Sequence, residues 1–108
     1  MIQLQIISRA NENLQSLIRV AIADGQIRSF VSAKVVGGMK ITHKKHPGVI
    51  SLSNAKGVLL ASISCTNPST EWQLLETFVG RIAYHFSKKV SALNIQFPEN
   101  MASGLRPI

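Results

Sequence analysis

Three segments of this sequence alternate apolar and polar residues with a period of two, which constrains each of them to an extended strand with one buried face. The segments are residues 2–8, 59–64 and 93–97. Successive side chains of a strand point to opposite faces, so alternation places the apolar residues of each segment on one side. The chain is therefore predicted to build a sheet whose apolar side must be covered by other elements.

Two further segments repeat their apolar residues at helical spacing and are predicted to cover that sheet. The first helix is expected over residues 12–24, with Asn11 as its N-terminal cap and Gly25 ending it in a left-handed turn. The second is expected to run from a cap at Asn67 or Thr70 to near Lys88. Its apolar stripe comprises Trp72, Leu75, Val79, Ile82 and Phe86.

The region between the helices is predicted to supply the other strands. Residues 27–35 form one of them, and the Gly37-Gly38 pair indicates a bend after which residues 39–42 continue the sheet. A hairpin is predicted from residue 50 to residue 64, with Gly57 in the left-handed position of its turn. In the strand over residues 27–35, the side chains predicted to point away from the helices are Arg28, Phe30, Ser32 and Lys34.

The resulting order, β-α-β-β-β-α-β, predicts an α+β two-layer sandwich, with a largely antiparallel sheet and both helices on one face. This order has three strands between the two helices, a number that the sequence determines to within one. This order resembles that of ferredoxin-like domains and of the helix-grip arrangement in the halves of TATA-binding protein, a likeness that concerns fold alone. We expect one domain over residues 1–97, followed by a tail over residues 98–108 that is flexible or serves as an arm.

Acidic residues are missing from the long stretch between Gly25 and Thr70, although the stretch is rich in cations. The whole chain has twelve Lys and Arg against five Asp and Glu, a net charge of +7. Such a charge on a small domain attracts polyanions, of which nucleic acid is the most common. The basic residues of the stretch are Arg28, Lys34, Lys40, Lys44, Lys45 and Lys56, with His43 and His46 between them.

These residues predict a small, basic, non-enzymatic domain that binds nucleic acid or another polyanion through a sheet face and a loop. The loop spans residues 43–48, where Pro47-Gly48 excludes a central strand. All eight residues named above are assigned to the nucleic-acid-binding site, together with Phe30 as a platform on which a base stacks. The sheet-face motif of RNA-binding domains, with its two or three aromatics, is missing, so sequence-specific recognition is only weakly indicated. DNA and RNA are not distinguished.

An alternative hypothesis is a structural or assembly protein without intrinsic activity. The outward side chains of the strands are mostly Ser, Gln and Asn, a composition that a homodimer can use by stacking sheets or joining edge strands. The basic charge also suits docking of an acidic protein. Dimerisation and nucleic-acid binding are compatible, since a dimer doubles the charge.

Catalytic chemistry has few candidate residues in this sequence. The acids Glu12, Asp24, Glu71, Glu76 and Glu99 are interpreted as solvated or capping residues, so no carboxylate pair is predicted. We predict no metal, no cofactor and no small-molecule substrate. A small enzyme remains a third hypothesis, and it requires two of four side chains to converge, namely His43, His46, Cys65 and His85.

The sequence also favours a cytoplasmic protein without a membrane anchor. No apolar run approaches the roughly 20 residues that span a bilayer. The N-terminal residues lack the pattern of a signal peptide. Cys65 is the single cysteine, which excludes a disulfide within the chain and fits a reducing compartment.

Overall fold

The computed structural model of the protein describes residues 1–98. A six-stranded sheet packs against two helices, and a short 3-10 turn, Arg9–Asn11, joins the first strand to the first helix. The strands are β1 (Ile2–Ser8), β2 (Phe30–Val35), β3 (Gly38–His43), β4 (Val49–Ala55), β5 (Val58–Ser64) and β6 (Val90–Gln96). The helices are α1 (Leu14–Ala23) and α2 (Pro68–Phe86). The α+β class and the two-layer arrangement are confirmed, and the strands between the helices number four. The predicted tail over residues 98–108 lies outside the described residues, except for Pro98.

The sheet is antiparallel throughout, with the strand order β2-β3-β4-β5-β1-β6. β1 is an interior strand because it pairs with β5 on one side and with β6, the last strand, on the other. β2 and β6 form the two edges. The hairpin predicted between residues 50 and 64 is confirmed as β4–β5, and Gly57 has the expected positive φ of 74°.

Both helices lie on the same side of the sheet and bury its apolar side chains. Alternation in β1 is complete, with Ile2, Leu4 and Ile6 buried and the intervening glutamines exposed. α2 contributes five buried apolar side chains, including Leu74 and Phe78, whereas α1 contributes three. The second face of the sheet, which neither α1 nor α2 covers, is called the open face below.

The helix boundaries differ slightly from those expected. Asn13 rather than Asn11 caps α1, and its side chain accepts a hydrogen bond from the Ser16 amide at 3.1 Å. Asn11 instead ends the 3-10 turn with a positive φ of 55°. Of the two caps proposed for α2, Asn67 is the one observed, followed by Pro68 at the first helical position, where its missing N–H costs nothing.

β2 shows the main disagreement with the sequence prediction. Phe30 faces the helices and is 3% exposed, whereas Val31 lies on the open face and is 51% exposed. The prediction assumed one strand continuing from Ile27, but the strand begins at Phe30, so the alternation counted from Ile27 does not carry through. Burial of the aromatic ring, which removes more apolar surface from water than a valine does, is consistent with the observed register.

The Gly37-Gly38 pair ends a strand rather than bending it. Val35 pairs with Gly38, so that Val36 and Gly37 form a two-residue hairpin loop, in which Gly37 takes a φ of 79°. A side chain at Gly38 would collide with the main-chain oxygen of Leu52 on β4. The predicted continuation over residues 39–42 is therefore a separate strand, β3, which brings its C-terminal end back beside the start of β2.

Candidate anion-binding surface

One end of the sheet carries a concentrated group of basic side chains from three parts of the chain. The loop from α1 to β2, the end of β3 with the loop that follows it, and α2 border a cavity of about 520 Å³, called the basic cavity below. Its lining includes two lysines and two arginines. The lining residues are Gln26, Arg28, Ser29, His43, Lys44, Lys45 and Arg81.

Main-chain hydrogen bonds hold the two loops of the basic cavity together. The Lys44 amide donates to the Ser29 carbonyl at 2.9 Å and so extends the β2–β3 pairing by one residue pair beyond the strands. The Arg28 side chain donates from Nε to the Gly25 carbonyl at 3.2 Å, which turns the guanidinium back over its own loop. The positions of Arg28 and Lys44 are thus fixed by backbone geometry rather than by carboxylates.

His43 shapes the loop that carries Lys44 and Lys45. Its Nδ1 accepts hydrogen bonds from the Lys45 amide at 3.0 Å and from the His46 amide at 3.1 Å. The ring lies edge-on to Phe30 with 5.0 Å between centroids. The pKa of His43 is lowered, first by burial and then by positive neighbours, which are His46, Lys45 and Arg81. The neutral ring is therefore a structural acceptor, and its Nδ1 is not available to a ligand.

The base of the same loop is fixed by a close approach to β5 and α2. Gly48 has a φ of 117°, and a Cβ there would collide with Cys65 Sγ and lie 3.0 Å from Leu74 Cδ2. The Cys65 thiol donates to the Pro47 carbonyl at 3.2 Å. Cys65 thus supports the basic loop by packing and a weak hydrogen bond.

No cation of the basic cavity forms an ion pair within residues 1–98, although the Asp24 carboxylate accepts hydrogen bonds from Gln26, one of the lining residues. The ion pairs found in that range lie elsewhere, between the Met1 amino group and Glu71 at 3.3 Å and between Lys89 and Glu12 at 3.5 Å. Glu71 was predicted to be a solvated or capping residue. It is not solvated, because it is 6% exposed and forms its ion pair with the amino group of Met1. Unopposed cations at one end leave a positive potential that a polyanion can use.

Three of the predicted binding residues lie away from the basic cavity. Lys34 is on the helix side of β2, where it borders a different cavity with Arg19 and Asn54. Lys40 projects from the open face, and Lys56 lies in the β4–β5 turn at the opposite end of the sheet. The structure therefore brings together Arg28, His43, Lys44 and Lys45, joined by His46, whose ring centroid lies 4.6 Å from that of His43.

The predicted basic sheet face and aromatic platform are not found in the form expected. Lys40 is the single charged side chain that the described strands place on the open face, whose other members are mainly Ser, Gln, Val and Ala. The ring of Phe30 is buried between His43 and Phe78, whose centroid is 6.4 Å away, so it presents no surface to a base. Positive charge is concentrated at the end of the sheet and not on its face.

Arg81 belongs to the basic cavity and was not among the predicted site residues. It lies outside the acid-free stretch of the sequence, and its position outside the apolar stripe of α2 was its one visible signal. That signal places Arg81 on the solvent side of a helix without indicating its neighbours. Only the crossing of α2 over the sheet brings it to the loop that follows β3.

Of the four residues considered for catalysis, the structure brings two histidines together and keeps His85 apart from them. His43 and His46 are adjacent, but Cys65 contacts Pro47 while His85 packs against Tyr84 and Phe86. Between residues 1 and 98 no hydrogen bond joins Cys65 to His85, and no three metal-binding side chains gather. No helix in this range is long and apolar enough to cross a bilayer.

No family model, curated protein or solved structure was found to match this chain.

Proposed function

We propose that this domain binds a phosphate-rich polymer, with nucleic acid as the main candidate, through the basic cavity. The observation that carries the proposal is the convergence of Arg28, Lys44, Lys45 and Arg81 on one cavity without an ion-pairing carboxylate among the described residues. Arginine and lysine are the principal partners of phosphate oxygens in nucleic-acid complexes. The net charge of +7 adds long-range attraction to this local cluster.

The arrangement supports backbone contacts rather than base recognition. Four cations neutralise phosphates regardless of base sequence. The uncharged groups of the lining add little, because the Gln26 side-chain amide donates to the Asp24 carboxylate at 3.3 Å and Ser29 Oγ is buried. Because Phe30 is buried, stacking on this ring does not contribute. We therefore expect binding that is weakly dependent on sequence and strongly dependent on salt.

The test is the salt dependence of binding to a fluorescent 20-base-pair duplex and to a single-stranded oligonucleotide of the same length. If four phosphates are neutralised, the logarithm of the binding constant falls with that of the salt concentration with a slope of about −3.6 for the duplex. Replacing Lys45 and Arg81 together by glutamine removes two contacts and reduces the slope to about −1.8.

A matched control is the double variant Lys34→Gln with Lys56→Gln, which changes the net charge equally but lies outside the basic cavity. We expect the slope of this control to differ from that of the unmodified protein by no more than about 0.5. Equal losses in the two double variants would show that overall charge, not the basic cavity, causes binding. Absence of binding by the unmodified protein at low salt would refute the proposal.

A further inference from the structure

β2 is an open edge of the sheet, and it differs from the basic cavity in what it offers to a partner. Within residues 1–98 it pairs with β3 and with no other strand. The six-residue strand contains no proline, and its one charged side chain is Lys34. An unpaired edge presents a row of N–H and C=O groups to which another strand can add, and in β2 a single lysine is the one charge that opposes such addition.

The hydrogen-bonding pattern identifies which main-chain groups of β2 are free. The Lys44 amide donates to the Ser29 carbonyl, and in an antiparallel ladder the bonded residues alternate. Residues 31, 33 and 35 therefore bond to β3, whereas Phe30, Ser32 and Lys34 direct their N–H and C=O groups away from the sheet. Among residues 1–98 these outward groups make no main-chain hydrogen bond.

An apolar cavity lies beside the start of this edge on the helix side. Its volume is about 400 Å³, which is enough for one or two aliphatic side chains. A strand added next to β2 would direct alternate side chains to the helix side, and so into this cavity. The residues that line it are Ile22, Gly25, Ile27, Arg28, Phe30, Val31, Ser32 and Lys44.

We propose that the β2 edge binds an extended peptide segment of another protein, with aliphatic residues at alternate positions and acidic residues at one end. Main-chain bonds to Phe30, Ser32 and Lys34 would supply affinity, as in other cases of strand addition. The apolar cavity would take the aliphatic side chains. Arg28 and Lys44, at its rim, would select carboxylates at the end of the peptide beside Phe30.

Charge separates this partner from a second copy of the chain. In an antiparallel pair of two β2 strands centred on Ser32, Lys34 of each copy would lie next to Phe30 of the other, at the end that carries Arg28 and Lys44, on a protein of net charge +7. Like charges on neighbouring strands are destabilising. An acidic strand instead places opposite charges at the same positions.

The test measures binding of a fluorescent peptide with the sequence Glu-Glu-Val-Thr-Val-Thr-Val to the full chain and to Ser32→Pro. Proline at position 32 removes an outward N–H and leaves the ladder with β3 intact, as is tolerated on edge strands. We expect binding by the unmodified protein and about tenfold weaker binding by Ser32→Pro, because the hydrogen bond donated by the amide of residue 32 to the peptide is lost. The control Ser32→Thr keeps the N–H and should bind like the unmodified protein.

Modified peptides test the same geometry without altering the protein. N-methylation of alternate peptide residues should weaken binding about tenfold in one of the two possible sets only, since only one set faces β2. Replacing both glutamates by lysine should also weaken binding.

Equal binding by Ser32→Pro and by both methylated sets would refute strand addition. A protein that fails to bind the peptide, yet forms dimers that Ser32→Pro abolishes in sedimentation, would identify a second copy as the occupant and refute the peptide proposal. Lys45→Gln with Arg81→Gln should leave peptide binding unchanged, because neither residue lines the apolar cavity. This separates failure of the peptide proposal from failure of the proposed nucleic-acid function.

Discussion

Truncation of Phe30 to alanine tests the orientation of β2, on which both the buried core and the free strand edge depend. Phe30 is 3% exposed and makes edge-on contacts with Phe78 and His43. Removing a buried phenyl ring costs about 3–5 kcal/mol in lost burial and cavity formation. Since a domain of this size has a free energy of unfolding of roughly 5–15 kcal/mol, Phe30→Ala should lose a large part of its stability.

The assay is equilibrium unfolding in urea, followed by circular dichroism. With a slope of about 1–3 kcal/mol per molar urea, a loss of about 4 kcal/mol lowers the midpoint by roughly 2 M. The matched control is Val31→Ala, one residue along the same strand but on the open face, which should change the free energy of unfolding by about 0.5 kcal/mol or less. A loss of unfolding free energy below about 1 kcal/mol for Phe30→Ala would refute the orientation described above. A loss for Val31→Ala that exceeds the loss for Phe30→Ala would refute it as well.

Two further predictions concern the loop that carries Lys44 and Lys45. Gly48→Ala should reduce the free energy of unfolding by about 2–4 kcal/mol, because it combines a left-handed φ with a collision at Cys65; Gly80→Ala, with open space around its Cβ, is the control and should be neutral or stabilising. If Gly48→Ala unfolds at the same urea concentration as the unmodified protein, the close approach to Cys65 is wrong. His43 has a lowered pKa, so the unfolded state binds more protons below about pH 6.5 and stability should decline as the pH falls through the folded-state pKa. His43→Asn should have a flatter profile of unfolding free energy below about pH 6.5, and an identical profile would exclude His43 as its source.

Local patterns were sufficient where a strand or helix has one clear apolar face. β1, the β4–β5 hairpin and the cap of α2 at Asn67 follow from alternation, turn glycine and capping chemistry over a few residues. Each of these signals is carried by neighbouring residues in the sequence. The structure therefore reproduces them with shifts of only a few residues at their ends.

The orientation of β2 was predicted wrongly because its uniformly apolar set of side chains lies on the open face, whereas the set that faces the helices contains a serine and a lysine. Val31, Ala33 and Val35 suggested the buried side, while Phe30 belonged to the other set and decided the outcome. The loop residues 24–29 interrupt the extended chain, so Ile27 is buried independently of the strand. A count of alternating residues cannot detect such an interruption.

The composition of the candidate site depends on tertiary contacts that no local pattern contains. The acid-free stretch correctly indicated that cations would be left unopposed, and Arg28, Lys44 and Lys45 do meet. Lys34, Lys40 and Lys56 occupy three other positions because alternation and turns direct them elsewhere. Arg81, on α2, also lines the basic cavity, although it follows Lys45 by 36 positions in the sequence (81 − 45).

The interior position of β1 has a consequence for how the chain reaches its folded state. Residues near the N-terminus pair with residues 90–96, so this part of the sheet closes only after almost the entire described chain has left the ribosome. Until then the outer side of β1 exposes unpaired amides and carbonyls, a condition that favours slow folding and contact with chaperones. Synthesis halted before residue 90 should therefore yield an aggregation-prone intermediate rather than a smaller stable domain.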